Sequence, residues 1–216
     1  MKTAIVIGST GLVCSKLISL LTKESRFDKI VAVTRRPVEY QAEKVLNEVV
    51  DFNALDDFID VFKGDVLFSC LGTTAKQAGS YDNQRLVDFD YQFQIAKLAA
   101  KNGVNHYILI SSSGANSVSK SPYLKMKGEL EEAVSLLPFD RLSILQPSLL
   151  LGERESFRLG ETLGSWILPT LCKLPFFMKY RPISADDVAK KLLALSLTKT
   201  DQSNSKEVFK LDEIFD

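Results

Sequence analysis

A tyrosine and a lysine four residues apart, Tyr123 and Lys127, are the side chains of this sequence best suited to chemistry on a small molecule. Residues at this spacing share one face of a helix. A phenol ionises near a pKa of about 10, and a neighbouring ammonium favours its charged form. The pair is therefore typical of an acid–base group with an electrostatic partner, although ordinary helix surfaces often show the same spacing.

A serine cluster precedes this pair at the end of an apolar run. Ser112 can donate a hydrogen bond to a carbonyl oxygen on which negative charge develops. Ser112, Tyr123 and Lys127 together predict a centre for carbonyl reduction, in which Lys127 also holds a nicotinamide ribose. Ser111 and Ser113 remain alternatives to Ser112, and capping of the strand end is the simpler interpretation of all three.

A glycine turn near the start of the chain could hold a nucleotide. Gly8 and Gly11 lie between an apolar run and a segment of helical periodicity. Glycine there permits a tight turn, and backbone N–H groups can approach a pyrophosphate at the helix N-terminus. Cys14 occupies the usual place of a third glycine, so we expect some strain without loss of the site. The predicted contacts of the turn are Gly8, Ser9, Thr10, Gly11, Leu12 and Val13.

Two arginines, Arg35 and Arg36, end the predicted second strand. An NAD site normally carries a carboxylate at this point, whereas a guanidinium can fork onto a phosphate. The sequence therefore favours NADP as the cofactor, and a solvated arginine pair is the alternative interpretation. Further cofactor contacts are expected where the third and fourth strands end, from Asp51, Phe52, Cys70, Leu71, Gly72 and Thr73.

Apolar β-branched runs alternate with helical periodicity, which indicates βαβ units and a parallel sheet. The predicted strands cover 3–8, 29–34, 45–52, 66–71, 107–110, 142–145 and 208–211, and the predicted helices cover 12–22, 56–62, 84–101, 122–136 and 186–197. We therefore expect an α/β fold, a single Rossmann-type three-layer sandwich with a mostly parallel central sheet. One domain would span 1–216, with a small C-terminal cap region over 153–185 on the substrate side.

Composition limits the partners of this chain. Its 216 residues are 45% apolar and 25% charged, and basic and acidic residues number 27 each. A balanced charge supplies no overall field to attract nucleic acid or an anionic membrane. Three cysteines without paired spacing predict reduced thiols and a cytoplasmic protein.

The most apolar stretch covers 163–178 and contains two prolines and a lysine. It is shorter than the roughly 20 residues that a membrane span needs, so we expect a helix and loop over the core and no membrane span. The wall of a substrate pocket and the surface of a homodimer are the alternatives for this stretch. Together with 74–84, the segment 156–178 is the expected lining of the substrate pocket.

Several sequence blocks resemble the atypical, extended-like branch of the short-chain dehydrogenase/reductase superfamily, and more narrowly the Tat-interacting-protein family of oxidoreductases. They cover 48–52, 70–74, 87–91, 111–115 and 123–129. The resemblance extends to about Gly164 and implies an NADP-bound Rossmann domain with a Ser–Tyr–Lys centre. It also implies cofactor contacts after the sixth strand, from Pro147, Ser148, Leu149 and Leu150.

The leading functional hypothesis is a reductase that passes hydride from NADPH to a small aldehyde or ketone. The alternative is an NADP(H)-binding sensor or scaffold that acts through partner proteins without turnover. A sugar-nucleotide epimerase or dehydratase would use the same centre, but few residues follow Leu150 to build a nucleotide-sugar domain. A nucleotide methyltransferase would favour an acidic residue near position 35, where this chain has arginine.

Overall fold

The computed structural model describes residues 1–148, 150–151, 183–198 and 205–214. Nine strands are found there: β1 Lys2–Ile7, β2 Phe27–Thr34, β3 Val45–Val49, β4 Val66–Ser69, β5 His106–Ile110, β6 Arg141–Gln146, β7 Leu150–Leu151, β8 Ile183–Ser184 and β9 Ser205–Lys210. Seven of them form one sheet in the order β3-β2-β1-β4-β5-β6-β9, and all its pairs are parallel. The predicted Rossmann-type α/β fold is confirmed, with β7 and β8 paired separately.

Six α-helices accompany these strands in the described ranges. They are α1 Leu12–Lys23, α2 Ala75–Ala78, α3 Tyr81–Arg85, α4 Tyr91–Lys101, α5 Pro122–Ser135 and α6 Ala185–Leu197, and two 3₁₀ segments cover Leu55–Phe62 and Leu211–Ile214. None of the helices in this part of the chain has both the length and the apolarity to cross a bilayer.

The central strands are apolar on both faces because helices cover both faces of the sheet. In β1, Ala4 and Val6 pack with α1 and α6. Ile5 and Ile7 face the other way and pack with α4, α5 and the first 3₁₀ segment. This alternation produces the three layers and explains why the sequence of β1 is a continuous apolar run.

The predicted helix over 84–101 is longer and less regular than its sequence pattern indicates. It begins at Tyr81, because the Ser80 hydroxyl accepts a hydrogen bond from the backbone N–H of Asn83 at 3.1 Å. Between α3 and α4, Leu86–Asp90 forms a turn of π-helix. A single 3.6-residue period does not reveal such a turn, which often marks a functional site.

Several predicted strand limits were wrong. β2 begins earlier than residue 29, because Phe27 pairs with Lys2 at the end of the β1 ladder. β3 and β4 end before residues 52 and 71, where the chain turns into the loops after the sheet. The last strand covers Ser205–Lys210 instead of 208–211 and forms an edge of the sheet, where polar residues are compatible with a strand.

The order of strand addition reverses at β1. β2 and β3 follow on one side of it, and the chain then returns to place β4 on the other side. Ligands of open parallel sheets bind outside the carboxyl ends of the strands at such a reversal. Gly8 follows β1 and Cys70 follows β4 at this point. Most of the predicted cap region, 153–182, lies outside the described residues.

Candidate functional site

A cleft of about 580 Å³ opens at the carboxyl ends of β1 and β4. Its volume falls in the range of about 300–1,000 Å³ that is usual for ligand sites. Nine of the predicted cofactor contacts line it, namely Gly8, Thr10, Gly11, Arg35, Phe52, Cys70, Leu71, Gly72 and Thr73. Six more of the described residues line it: Gln77, Ala78 and Asn83 from the predicted substrate-pocket lining 74–84, together with Leu86, Val87 and Tyr91.

Among the predicted contacts of the glycine turn and of the loops after β2, β3 and β4, five are not part of this lining: Ser9, Leu12, Val13, Arg36 and Asp51. Ser9 is buried, and its hydroxyl donates to the carbonyl of Val33 at 3.4 Å. The Asp51 carboxylate is exposed and accepts a hydrogen bond from the backbone N–H of Asn53 at 2.9 Å. These two side chains stabilise the loops that surround the cleft.

The predicted contacts after β6 lie on a different part of the sheet edge. Pro147 is buried, and its carbonyl accepts a hydrogen bond from the backbone N–H of Ser113 at 3.0 Å. Ser148 is half-buried, Leu150 lies in β7, and Leu149 falls outside the described residues. Pro147 and Ser148 are not among the described residues that line the cleft.

The turn between β1 and α1 requires glycine at position 8. Gly8 has a φ of +77°, and a Cβ atom there would lie 2.8 Å from the carbonyl oxygen of Cys70. The N–H of Gly11 closes the turn by donating to the Gly8 carbonyl at 2.8 Å. Gly11 is also the N-cap of α1 and has no side chain to cap the first N–H groups. Those groups are thus available to an anion.

Cys14 lies in the first turn of α1, where the sequence pattern usually has a third glycine. It has helical backbone geometry and is fully buried. Its thiol lies 3.7 Å from the carbonyl of Ile7. Burial, and secondarily the neighbouring Cys70 thiol, raise the pKa of Cys14. A small side chain is therefore accommodated between helix and strand where a third glycine is usual.

Arg35 is exposed at one end of the cleft, near an aromatic wall. The rings of Phe52 and Tyr91 meet edge to face with centroids 5.3 Å apart. The Tyr91 hydroxyl donates to the Asn53 side-chain oxygen at 2.7 Å. Burial raises the pKa of Tyr91, and the positive charge of Arg35 partly offsets this effect. This end therefore offers flat aromatic surface beside a guanidinium.

Lys127 forms a buried ion pair with Asp88, on the π-helical turn. Its Nζ lies 2.8 Å from Oδ1 of Asp88, and both side chains are at most 3% exposed. The other carboxylate oxygen, Oδ2, accepts a hydrogen bond from the backbone N–H of Thr73 at 2.8 Å. Asp88 therefore connects the lysine of α5 with the segment that lines the cleft after β4.

A second buried side chain supports Asp88 from α4. The amide nitrogen of Gln92 donates to the Asp88 carbonyl at 2.8 Å. The amide oxygen of Gln92 accepts a hydrogen bond from the Ser69 hydroxyl at 2.7 Å. Since buried polar groups are stable only when they are paired, this chain of contacts fixes the π-helical turn against β4.

Tyr123 lies one turn before Lys127 on α5, and the structure brings the two together as the spacing indicates. The Lys127 Nζ is 5.9 Å from the centroid of the Tyr123 ring, which is half-buried. On the same helix, a side chain at Gly128 would collide with the backbone of Asn116 and Ser117. Glycine there lets the loop after β5 lie directly against the helix that carries both residues.

The three serines after β5 have different surroundings. Ser111 is buried, and its hydroxyl has no hydrogen-bond partner among the described residues. Ser112 and Ser113 are half-buried. The backbone N–H groups of Ser111 and Ser113 donate to Leu145 and Pro147, at 2.8 and 3.0 Å, and thereby continue the pairing of β5 with β6.

The profile of a family described as NAD(P)H-binding matches residues 8–151. The chain belongs to this NAD(P)H-binding family. Protein HTATIP2 of Rattus norvegicus is 40% identical over 167 residues, which cover 76% of this chain and 69% of that protein. Protein FMP52, mitochondrial, of Kluyveromyces lactis is 37% identical over 222 residues, with coverage of 97% and 98%. The family resemblance predicted from the sequence blocks is confirmed.

A solved structure supports the fold of this NAD(P)H-binding family member. MoeE5, determined in complex with UDP-glucuronic acid and NAD, superposes with a TM-score of 0.71 at 17% sequence identity. The match covers 97% of this chain and 76% of MoeE5. At this identity the likeness establishes a common fold.

The relatives contradict one prediction. The expectation of a cytoplasmic protein is wrong in view of the FMP52 relatives, which are named mitochondrial proteins in several yeasts. The expectation depended on three cysteines without paired spacing. Reduced thiols are compatible with any compartment that keeps thiols reduced, so they do not distinguish the cytosol from a mitochondrial compartment.

Sequence reasoning assigned no role to two residues of this site, Asp88 and Tyr91. Asp88 stands between the apolar residues Val87 and Phe89 in the helical segment. An acid on an otherwise apolar stretch needs a buried cation if the segment packs inward. That signal was available, but only the fold identifies Lys127 as the cation.

Proposed function

We propose that this protein is an NADP-dependent oxidoreductase that transfers hydride between NADPH and a small carbonyl substrate. The observation that carries the proposal is the Tyr123–Lys127 pair on α5, with Lys127 ion-paired through Asp88 to the cleft wall at Thr73. An acid–base group is thereby coupled to a cleft of dinucleotide-binding topology. Membership of the NAD(P)H-binding family supports the same interpretation.

The residues of the cleft fit a dinucleotide phosphate. The uncapped first turn of α1 and the Gly8–Gly11 turn would hold the pyrophosphate. Arg35 lines the cleft where β2 ends, and its planar guanidinium would pair with a 2′-phosphate. Phe52 and Tyr91 would face the adenine. A carboxylate suited to the 2′-hydroxyl of NAD is lacking directly after β2, where the sequence reads Arg35-Arg36.

The reaction assigns a separate task to each side chain of the centre. The bound nicotinamide supplies the hydride. The hydroxyl of Tyr123 gives its proton to the carbonyl oxygen of the substrate. The ammonium of Lys127 stabilises the resulting phenolate. Asp88 takes one of the three N–H donors of this ammonium in the described part of the chain, and the others could bind the nicotinamide ribose.

A serine hydroxyl would hold the substrate oxygen during this transfer. The sequence predicts Ser112, but the continued β5–β6 pairing favours its neighbours. Residues two apart share a face of a strand, so Ser111 and Ser113 lie on the face of Leu109. That face packs with Leu130 of α5. Ser113 is the more accessible of the two, and we expect Ser113→Ala to reduce turnover more than Ser112→Ala.

Titration with NADPH and NADH tests the cofactor assignment. Wild type should bind NADPH more tightly than NADH. Arg35→Ala should lower the affinity for NADPH about 10- to 100-fold, because a charge-assisted phosphate contact is lost. NADH binding should change little. Arg36→Ala is the matched control, because Arg36 is exposed but does not line the cleft. Failure of both nucleotides to bind would refute the oxidoreductase proposal.

A panel of small aldehydes and ketones, followed by NADPH absorbance, tests the reaction itself. Tyr123→Phe should abolish turnover and leave NADPH affinity nearly unchanged, since the phenol acts on the substrate oxygen. Tight NADPH binding without turnover on any carbonyl would instead favour the sensor or scaffold hypothesis.

Two properties beyond the site complete the proposal. We propose a mitochondrial location on the basis of the FMP52 relatives, and cell fractionation with antibody detection tests it. A homodimer is proposed as well, because the sequence between 166 and 178 is apolar. Sedimentation velocity of the full chain would reveal it as a species of twice the 24.1 kDa monomer mass.

A further inference from the structure

Two thiols meet beneath the phosphate-binding turn. The Cys14 thiol lies 3.7 Å from the Ile7 carbonyl, and the backbone N–H of Cys70 donates to the same carbonyl at 3.2 Å. The Cys70 side chain packs against the apolar cluster that contains Cys14. The Cys70 thiol is near enough to Cys14 to raise its pKa. The end of β1 therefore holds both cysteines in one place.

The two cysteines differ in their access to solvent. Cys14 is completely buried, whereas Cys70 is half-buried and lines the cleft. A small oxidant that enters the cleft reaches Cys70 first. Burial also raises the pKa of Cys14 and keeps its thiol protonated, so Cys70 is the sulfur expected to react with an oxidant. Cys14 is then the neighbouring group that can resolve the oxidised product.

We propose that Cys14 and Cys70 form a peroxide-sensitive dithiol, whose oxidation to a disulfide weakens nucleotide binding at the adjacent turn. The disulfide is inferred from the thiols alone, whereas its effect on affinity rests on the proposed NADP-binding function. Nothing in this pairing involves the Tyr123–Lys127 centre.

The chemistry takes place in two steps. The Cys70 thiolate attacks one oxygen of hydrogen peroxide, the O–O bond breaks, and the sulfur becomes a sulfenic acid as hydroxide leaves. The Cys14 sulfur then attacks the Cys70 sulfur, an S–S bond forms and the S–O bond breaks. The departing hydroxide takes up the thiol proton as water. In total, two thiols and one peroxide yield one disulfide and two waters.

The turn has little room to absorb this bond. Sulfur atoms in a disulfide lie about 2.05 Å apart, much closer than two sulfur atoms that are not bonded to each other. Gly8 already lies so near the backbone of Cys70 that a Cβ atom would be 2.8 Å from its carbonyl oxygen. Drawing Cys70 towards Cys14 must therefore displace the turn or the end of β4. We expect NADPH affinity to fall about tenfold or more, the effect of losing one charge-assisted hydrogen bond.

Peroxide treatment of the reduced, purified full chain tests the proposal. Peptide mapping by mass spectrometry should reveal a Cys14–Cys70 crosslink, with two thiols lost per chain and restored by dithiothreitol. The oxidised protein should bind NADPH about tenfold more weakly. Cys14→Ser, which keeps a donor for the Ile7 carbonyl, and Cys70→Ser should each prevent the crosslink and the loss of affinity. Cys172→Ser, which changes the third cysteine, should retain both.

The outcomes separate this proposal from the cofactor assignment. A folded protein in which Cys70 is oxidised to sulfinic acid without any crosslink to Cys14 overturns the dithiol. A crosslink that leaves NADPH affinity unchanged overturns the regulatory part. If the reduced protein binds no nucleotide, the proposed function fails, and the crosslink alone then decides the dithiol. Should Cys14→Ser not fold, Cys14→Gly, which restores the usual third glycine, replaces it.

Discussion

Replacing Asp88 with alanine would leave the Lys127 ammonium buried without its carboxylate. The two groups are 2.8 Å apart, and neither side chain is more than 3% exposed. Removal of one partner from such a pair typically costs about 3–5 kcal/mol, because the remaining charge is left uncompensated. The half-buried Thr73 N–H also loses its acceptor, but water can replace it. We therefore expect Asp88→Ala to lower the free energy of unfolding by about 3–5 kcal/mol.

A matched control connects the same part of the chain. Arg85 and Glu129 form an ion pair of 2.6 Å between α3 and α5, with about a third of each side chain exposed. Such pairs are worth about 0–1 kcal/mol, so Glu129→Gln should cost less than about 1 kcal/mol. The double replacement Asp88→Leu with Lys127→Met should recover much of the stability lost in Asp88→Ala, because no buried charge then remains.

Urea denaturation at pH 7.5, followed by far-ultraviolet circular dichroism, measures these differences by linear extrapolation. The reasoning is refuted if Asp88→Ala lowers the free energy of unfolding no more than Glu129→Gln does, since burial would then have no influence on the energy lost when an ion pair is broken. It is also refuted if the double variant is less stable than Asp88→Ala, because the loss could not then be ascribed to an unpaired charge.

Three other substitutions test the fold and the cleft. Burial lowers the pKa of His106 from 6.5 to about 3, so the native state binds this proton more weakly than the unfolded chain. The contribution of His106 to stability is therefore complete above pH 6.5 and falls towards pH 3, and about 2 kcal/mol should be lost at pH 5. His106→Gln should not show this loss when urea titrations above pH 6.5 and at pH 5 are compared. Gly8→Ala should destabilise more than Gly103→Ala by urea midpoint, because both glycines have positive φ but only Gly8 meets backbone atoms; equal midpoints would contradict the close approach. Gly128→Ala should displace the Ser117 loop from α5 and reduce both stability and carbonyl turnover. If the variant turns over carbonyls at the wild-type rate, this contact does not position Tyr123 and Lys127.

The sheet and the turn could be predicted because their causes are local. The buried strand β1 must be apolar on both faces, which gives the run before Gly8. The glycine after it is required by the backbone itself, through a φ of +77° and contact with Cys70. Strand β9 was placed less accurately, since it is the last of the described strands in the sheet order and its sequence alternates less clearly.

The candidate centre could be predicted only in part. The spacing of Tyr123 and Lys127 is a property of one helix and is visible in the sequence. The partner of Lys127 is 39 positions away in the chain, on a π-helical turn that no 3.6-residue pattern indicates. The serine cluster illustrates the same limit. Its three adjacent hydroxyls are equivalent in the sequence, and only the pairing of β5 with β6 beyond the end of the strand distinguishes them.

The position of Asp88 joins the cleft and the candidate centre on α5 into one structural unit. One carboxylate oxygen holds the ammonium of Lys127, and the other holds the backbone of Thr73 in the cleft wall. Any ligand contact that moves Thr73 therefore acts on the same side chain that orients Lys127. Since the carboxylate cannot satisfy both groups if either one moves far, we expect occupancy of the cleft and the position of the lysine to be linked. Under the proposed function, this linkage would let nucleotide binding set the geometry in which Tyr123 transfers its proton.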